Sequence, residues 1–422
     1  DFFRRAAVGS TATSAPTPRW PAYQTVVLLC FAAVFIAYID RTNMSVAAIA
    51  MQQELGWTET LKGLVLSSFF AGYLLLQVVS GSLANRVGGR RVLGVAVIWW
   101  SLFTILTPIA ARISLPALLA ARIALGIGEA AVFPGSINMV GRWVPAERRS
   151  RAVALFSSGL SIGTVFALPV TGWIVRDFGW PMAFISFGAL GLVWAVSWFS
   201  LVREGRGPDA EPVVEQGPRE IPWGTILRTP AVWAIIVNHF CNNWSLYVLL
   251  SWMPSYLKST FGLTLANAGL LSAAPWLSSF IMANVAGAWA DRLLRRGRTA
   301  TFVRKLMQGT GLLGGAAFLL LLPLAPSATA AVLLMCAGSG CLAFCLAGFG
   351  ANSFDIAPKY ADIIWGISNT AGTIPGIVGV YITGWLVERT GGFDAPFLVT
   401  AAVSVIGALV FLAIGSGERQ ID

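Results

Sequence analysis

The chain has 422 residues, of which 56% are hydrophobic and only 11% are charged, and its mean hydropathy is +0.72. This composition excludes a water-soluble domain, in which about 25% of the residues would be charged. The net charge of +10 does not indicate nucleic-acid binding, because the basic residues fall in short clusters between apolar runs, as the positive-inside rule expects. We therefore predict an all-α polytopic membrane protein.

The order of apolar and polar segments predicts two halves. Apolar runs of about 20 residues recur, each long enough to cross a hydrocarbon core of about 30 Å, and twelve of them fit into the sequence. A charged stretch with Pro and Gly separates the first six from the last six. The predicted parts are a tail over residues 1–19, an N-terminal half over 20–202, a linker over 203–229, a C-terminal half over 230–415 and a C-terminal tail over 416–422.

The N-terminal tail, residues 1–19, is rich in Ala, Ser, Thr and Pro and carries Arg4, Arg5 and Arg19. This composition favours the remnant of a transit peptide, with a disordered tail of the same composition as the alternative. The composition alone does not separate the two interpretations.

Two predicted spans each carry an acid and an arginine. Asp40 and Arg41 lie in the first span, and Arg122 and Glu129 lie in the fourth. Seven residues make about two helical turns, so Arg122 and Glu129 are expected on one face, roughly 10 Å apart. A charge in a membrane helix costs on the order of 2.5–3.5 kcal/mol, so such residues normally face a protein interior or a water-filled path. The pattern favours an anion site with a titratable coupling group; the alternative is a buried ion pair that only joins helices.

The basic loops give the topology and an internal repeat. The loop after span two carries Arg86, Arg90 and Arg91, which marks the cytoplasm-equivalent side. The stretch around Asp291 and Arg292, after span eight, repeats its order of glycine, acid or amide, and arginine, which indicates a duplication. Both termini are expected on this basic side. Span four is expected to bend or break near Pro134-Gly135.

Catalytic and metal chemistry is not expected. The five cysteines lie within apolar runs, so we interpret them as buried hydrophobic residues. The single histidine, His239, is expected to pack or to line a pore. An enzyme is therefore not predicted, and no cofactor is expected apart from a co-transported ion.

Several stretches resemble the anion:cation symporter branch of the major facilitator superfamily. They are Asp40–Ala47, Ser67–Tyr73, Arg122–Pro134, His239–Trp244, Asp355–Tyr360 and Gly366–Thr373. The similarity extends from Trp20 to Asp422 and is strongest to the plastid phosphate transporters of plants and algae. One departure is Asn85, which stands where the loop after span two usually has Asp, whereas Asp291 keeps that acid in the second half.

The resemblance implies twelve transmembrane helices in two pseudo-symmetric six-helix halves. It further implies a secondary active transporter that moves inorganic phosphate, or a similar small anion, together with Na⁺ or H⁺ by alternating access. A monomer in the plastid inner envelope or thylakoid membrane is expected, with the plasma or a vesicular membrane as alternatives. The alternative functions are a carrier of organic monoanions such as ascorbate, sialic acid or a sugar acid, and a membrane nutrient sensor that does not transport.

The resemblance also implies roles for individual residues. The implied substrate-binding set is Arg41, Arg122, Tyr73, Asn242, Asn243, Tyr247, Ser368, Asn369 and Thr373. The implied cation-coupling residues are Asp40 and Glu129. The implied gating residues are Asn85, Arg86, Arg90, Asp291 and Arg292. The uncharged polar residues have interhelical hydrogen bonding as their alternative role.

The choice of substrate is inferred from two positions at which this chain differs from the related vesicular glutamate carriers. Vesicular glutamate carriers have arginine where this chain has Asn242 and histidine where it has Leu66. Arginine is the preferred partner of an oxyanion, so its absence favours an anion with a single compact charged group.

Overall fold

The computed structural model describes residues 22–203 and 221–421, so the predicted tail over 1–19 and most of the linker lie outside the described residues. Within these ranges the regular structure is helical, without strands. The first half contains α1 (Ala22–Leu55), α2 (Glu59–Val87), α3 (Gly89–Ile113), α4 (Leu115–Glu129), α5 (Val132–Trp143), α6 (Arg149–Phe178) and α7 (Trp180–Leu201). The second contains α8 (Trp223–Arg228), α9 (Pro230–Phe261), α10 (Leu265–Arg295), α11 (Ala300–Leu321), α12 (Ala328–Leu342), α13 (Phe349–Ile356), α14 (Ala361–Thr390) and α15 (Asp394–Ile414).

Eleven segments of the described chain are long and apolar enough to cross a membrane. Helix α9 is not among them, because it carries several strongly polar side chains, among them Asn238, His239, Asn242 and Asn243. It nevertheless has 32 residues and is therefore about 48 Å long, more than a bilayer core requires. When α9 is included for its length, the described residues contain twelve helical segments that are long enough to span a membrane, six on each side of the linker. The fourth segment of each half is broken (α4–α5 and α12–α13).

The break in span four lies one turn earlier than the sequence predicted. Helix α4 ends at Glu129 and α5 begins at Val132, so the break is at Ala130-Ala131 instead of Pro134-Gly135. Pro134 falls in the first turn of α5, where a missing N–H costs little. The carbonyl oxygen of Ala130, which Pro134 cannot bond, accepts a hydrogen bond from Ser80 Oγ of α2 at 3.2 Å. The break therefore puts Glu129 at the C-terminal end of α4.

The two halves meet on the side opposite the basic loops. The backbone N–H of Thr60, at the start of α2, donates to Glu388 of α14 at 2.8 Å. A Cβ added at Gly63 would lie 3.2 Å from two carbonyl oxygens of α14, so the helices touch there. Near the other ends of the same helices, a Cβ at Gly81 or Gly366 would meet no atom within 4 Å. Helices α2 and α14 therefore diverge toward the basic side.

Within the first half, α2 and α4 pack backbone against backbone. A Cβ at Gly72 of α2 would lie 1.9 Å from the carbonyl oxygen of Ile123, and one at Gly126 of α4 would lie 2.1 Å from that of Phe69. Small residues allow such approaches between membrane helices. The close contact fixes α4, and hence Arg122 and Glu129, against the aromatic face of α2.

We expect Gly72→Ala to destabilise the protein by about 1–3 kcal/mol, because the methyl group forces α2 away from α4. Gly81→Ala, in the same helix, is the matched control: it meets no neighbour and should gain about 0.5–1 kcal/mol from helix propensity. Thermal unfolding of the two purified variants measures the difference. Equal melting temperatures would contradict the packing described here.

Candidate functional site

Four buried charges from α1 and α4 form the centre of the first half. Asp40, Arg41, Arg122 and Glu129 are 0%, 7%, 1% and 0% exposed. Arg41 Nη2 donates to Glu129 Oε2 at 3.2 Å. Asp40 and Arg122 are close enough for their charges to interact with this ion pair. The structure thus brings together the four charges that the sequence places in two separate spans. Their formal charges sum to zero, so attraction between opposite charges offsets part of the desolvation cost of burying them.

Aromatic rings surround the guanidinium group of Arg41. Its central carbon lies 4.7 Å from the ring centroid of Tyr38, 4.8 Å from that of Phe69 and 4.9 Å from that of Tyr73. The guanidinium carbon of Arg122 also lies 5.6 Å from the ring centroid of Phe69, so this ring is close to both arginines. These are cation–π distances. Tyr73 was predicted; Tyr38 and Phe69 were not, although Tyr38 lies one turn before Arg41, where a contact is expected.

Arg41 and Arg122 line the same small cavity. Its other walls include Leu66 and Phe70 of α2 and Leu250 of α9. The cavity measures about 10 Å³, which is room for roughly one water molecule, so an anion of the size of phosphate does not fit. Because α9 belongs to the other half, a movement of the two halves away from each other would enlarge the cavity.

Several buried polar atoms around the arginines have no hydrogen-bond partner among the described residues. They include Nε and Nη1 of Arg122, both carboxylate oxygens of Asp40, Oε1 of Glu129 and both amide atoms of Asn43. An unpartnered buried polar group costs about 1–3 kcal/mol, and more when it is charged. The unused N–H groups of Arg122 belong to a planar fork that matches the oxygens of a carboxylate or a phosphate.

A second polar cluster joins α9 to α14 in the C-terminal half. His239 Nδ1 lies 3.1 Å from Ser368 Oγ, and Asn243 Nδ2 donates to the carbonyl oxygen of Gly372 at 2.8 Å. Asn242 Nδ2 lies 3.3 Å from Asn243 Oδ1. The interhelical role that was the alternative is thus present for Asn243 and Ser368 in this conformation, whereas the bond of Asn242 stays within α9. The substrate-binding role of these residues remains a prediction.

Thr373 connects the second cluster to the first half. Its hydroxyl lies 2.9 Å from Gln77 Oε1 of α2 and 2.9 Å from the carbonyl oxygen of Asn369; Asn369 itself is half-buried. Gln77 was not predicted, and no motif in the sequence distinguishes it from other glutamines.

Tyr247 connects the two clusters. It lies one turn after Asn243 on α9, and its ring centroid is 4.4 Å from that of Phe70, which lines the arginine cavity. The predicted substrate residues therefore lie along one interface between the halves, in two groups.

The predicted gating residues lie at the basic ends of the helices. Arg90 donates from Nε to the carbonyl oxygen of Val202 at 2.6 Å and from Nη2 to that of Phe199 at 3.0 Å. Arg90 thereby binds the C-terminal end of α7, a contact that the sequence did not predict. Asn85 Oδ1 accepts from Asn138 Nδ2 at 2.9 Å. The side chains of Arg86, Asp291 and Arg292 are exposed, and the gating roles remain predictions.

Solved structures share this architecture. A bacterial homologue of the human lysosomal transporter Spinster, described as inward-facing and unoccupied, superposes with a TM-score of 0.80 over 94% of this chain and 97% of its own, at 18% sequence identity. A D-xylose–proton symporter gives a TM-score of 0.73 over 94% of this chain and 99% of its own, at 16% identity. At these identities the similarity concerns the fold.

Other proteins share a higher sequence identity with this chain than these solved structures do. The Arabidopsis thaliana ascorbate transporter, chloroplastic, is 42% identical over 96% of this chain and 78% of its own length. The Arabidopsis thaliana sodium-dependent phosphate transport protein 1, chloroplastic, is 41% identical over 98% of this chain and 84% of its own. The sequence profile of the Major Facilitator Superfamily matches residues 30–379. This multi-pass membrane protein therefore belongs to the Major Facilitator Superfamily and is related to the plastid anion transporters.

Proposed function

We propose that this protein is a secondary active transporter that carries inorganic phosphate, or a similar small anion, together with Na⁺ or H⁺ by alternating access. The observation that carries the proposal is Arg122: a fully buried guanidinium with unused N–H groups, on a cavity between the two halves. Relatives at about 41% identity that are named as phosphate and anion transporters support the same function.

Charge balance explains why anion and cation move together. The four central charges sum to zero, so an anion that enters alone leaves one or two uncompensated negative charges in a low-dielectric interior, which is costly. The anion competes with Glu129 for Arg41, and the released carboxylate then takes up a cation. One co-transported cation per anion charge restores neutrality before the carrier reorients.

Two carboxylates are candidates for the coupling group. Glu129 is the last residue of α4, where the partial negative charge of the helix end destabilises a carboxylate and favours its neutral or cation-bound form. Asp40 and Asn43 lie about one turn apart on α1, and the oxygens of both are buried without partners. Such oxygens can bind Na⁺, whereas a proton would satisfy Asp40 alone.

An organic monoanion such as ascorbate is the second candidate substrate. The rings of Phe69, Tyr73 and Tyr38 surround Arg41, and such a site suits a flat organic anion as well as a compact inorganic one. The ascorbate transporter relative is as similar to this chain as the phosphate transporter is. We propose the plastid envelope as the location, since the relatives are named chloroplastic, and a monomer as the working unit.

Uptake into proteoliposomes tests the proposal. Labelled phosphate, ascorbate and glutamate are supplied in turn, under an imposed Na⁺ gradient, an imposed pH gradient, or neither. We expect gradient-driven phosphate uptake and little glutamate uptake. Ascorbate uptake without phosphate uptake would select the second candidate, and no uptake of any anion would reject the proposed function.

Asn242 is expected to set selectivity against dicarboxylates. Asn242→Arg adds a buried positive charge to the polar cluster of α9 and α14, in a protein whose four central charges already sum to zero. We expect phosphate uptake to fall at least tenfold, which corresponds to about 1.4 kcal/mol, and weak glutamate uptake to appear. Asn242→Gln, which adds no charge, is the matched control and should keep its preference for phosphate. Glutamate uptake by the wild type at the rate of phosphate uptake would show that Asn242 does not set selectivity.

A further inference from the structure

A second cavity lies on the basic side, away from the central arginines. It measures about 90 Å³ and is lined by Arg86, Val87, Gly88, Gly89, Arg90, Met139, Arg142 and Arg203. It lies where the end of α2, the start of α3 and the end of α5 come together. Its volume would hold an anion of the size of a phosphate group.

The charged residues that line this cavity are all positive. Four arginines line it, and no Asp or Glu does. The adjacent residue is Asn85, whose amide oxygen is bonded by Asn138, so this position supplies no carboxylate. Arg90 already donates to the carbonyl oxygens of Val202 and Phe199, so Arg86, Arg142 and Arg203 are the arginines that would contact an anion. Like charges around one cavity repel each other, and an anion between them would lower that repulsion.

The backbone adds further donors. Helix α3 begins at Gly89, and its N-cap residue Gly88 has no side chain to cap the first turn. Asn138 Oδ1 accepts from the N–H of Gly89 at 3.0 Å, whereas the N–H of Arg90, one residue further along, has no acceptor within the helix. The start of a helix favours anions through its free N–H groups and its partial positive charge.

We propose that this cavity binds a phosphate group, supplied either by the headgroup of an anionic lipid or by free inorganic phosphate. Arginine forks match phosphate oxygens, and basic pockets at the ends of transmembrane helices on the cytoplasm-equivalent side hold lipid headgroups. Leu83 and Val87, at the end of α2, are 39% and 44% exposed and provide an apolar surface for an acyl chain beside the cavity. Bound phosphate would join α2, α3 and α5 at the end where the halves diverge.

The first experiment tests the lipid source. Delipidated protein is mixed with phosphatidylglycerol or phosphatidylcholine, and bound lipid is counted by native mass spectrometry. We expect phosphatidylglycerol to be retained preferentially, and Arg142→Gln to lower its retention about fivefold, the effect of one arginine near a lipid surface. Asn85→Asp, which keeps the bond from Asn138 but adds a carboxylate, should lower retention as well. Arg296→Gln removes an exposed arginine on the same side of the protein and is the control.

The second experiment tests free phosphate in an Arg122→Ala background, so that the central site does not contribute. Inorganic phosphate should still raise the melting temperature relative to chloride at equal ionic strength, and adding Arg142→Gln should abolish the rise. A positive result in either experiment supports the site and shows whether a lipid or free phosphate supplies the phosphate group. The proposal is overturned if neither ligand is preferred, or if Arg296→Gln weakens binding as much as Arg142→Gln does.

Discussion

Replacing Arg122 by alanine is expected to abolish anion uptake while leaving a protein that can be purified. Arg122 is 1% exposed, and its Nε and Nη1 have no partner among the described residues, so its charge is available to a bound anion. Removing one partner of a buried, hydrogen-bonded charge pair costs about 2–5 kcal/mol, which corresponds to a loss of at least about 30-fold in apparent affinity. Uptake of labelled phosphate by proteoliposomes, normalised to reconstituted protein, measures it.

Arg122→Lys is the matched variant, because it keeps the positive charge but loses the planar fork. We expect it to recover part of the affinity and to remain well below the wild type, since a point charge contacts fewer oxygens at a time. Size-exclusion profiles and melting temperatures of both variants separate a binding defect from a folding defect. Normal uptake by a correctly folded Arg122→Ala protein would remove Arg122 from the anion site.

The sequence identifies the four charges that come together in the structure, but not how they pair. Asp40, Arg41, Arg122 and Glu129 stand out because each is costly in an apolar run. Sequence spacing suggested that Arg122 and Glu129 belong together, yet the hydrogen bond to Glu129 comes from Arg41, 88 residues away. That contact depends on the register between α1 and α4, whereas the backbone contacts at Gly72 and Gly126 fix α4 only against α2. No local pattern contains this register.

The position of the break in span four and the partners of Arg90 also could not be predicted from the sequence. Pro134 correctly indicated an irregular span, but the break lies at Ala130-Ala131, because proline is tolerated in a first turn. Arg90 was predicted as a gating residue from its loop motif, and the structure shows it bonded to the end of α7. The carbonyl groups that it binds, those of Phe199 and Val202, are more than 100 residues away, and sequence patterns do not identify such partners.

The shared interface explains how anion binding can change the conformation of the carrier. The arginine cavity has walls from α1, α2 and α4 of one half and from α9 of the other. If Arg41 and Arg122 hold the anion, as proposed, it needs more room than about 10 Å³. We therefore expect its binding to displace α9 and, through Tyr247 and Asn243, to change the polar contacts between α9 and α14. A ligand shifts a conformational equilibrium only by its difference in affinity for the two states. An anion would bind a conformation with an enlarged cavity more tightly than the one described here, and this is the required difference in affinity.

Glu129→Gln is expected to uncouple anion movement from the cation gradient. Net, gradient-driven uptake should fall sharply, whereas exchange of internal for external anion should persist. Glutamine keeps the size and the hydrogen-bonding oxygen for Arg41 but removes the negative charge, so the central charges change from a sum of zero to +1. The bound anion then supplies the missing negative charge, and the loaded carrier can reorient without a cation. Net uptake and counterflow, measured on the same proteoliposomes, separate the two activities.

Asp40→Asn is the parallel variant, because Asp40 is the second candidate coupling group. Asp40 and Arg41 are neighbours in sequence and point to different sides of α1, and Arg41 makes its ion pair with Glu129. If Glu129 is the coupling group, removing its charge should eliminate the dependence of net uptake on the imposed gradient, and Asp40→Asn should retain at least part of it. The reverse result, full gradient-driven uptake in Glu129→Gln and none in Asp40→Asn, would assign coupling to α1 and leave Glu129 as the buried partner that positions Arg41.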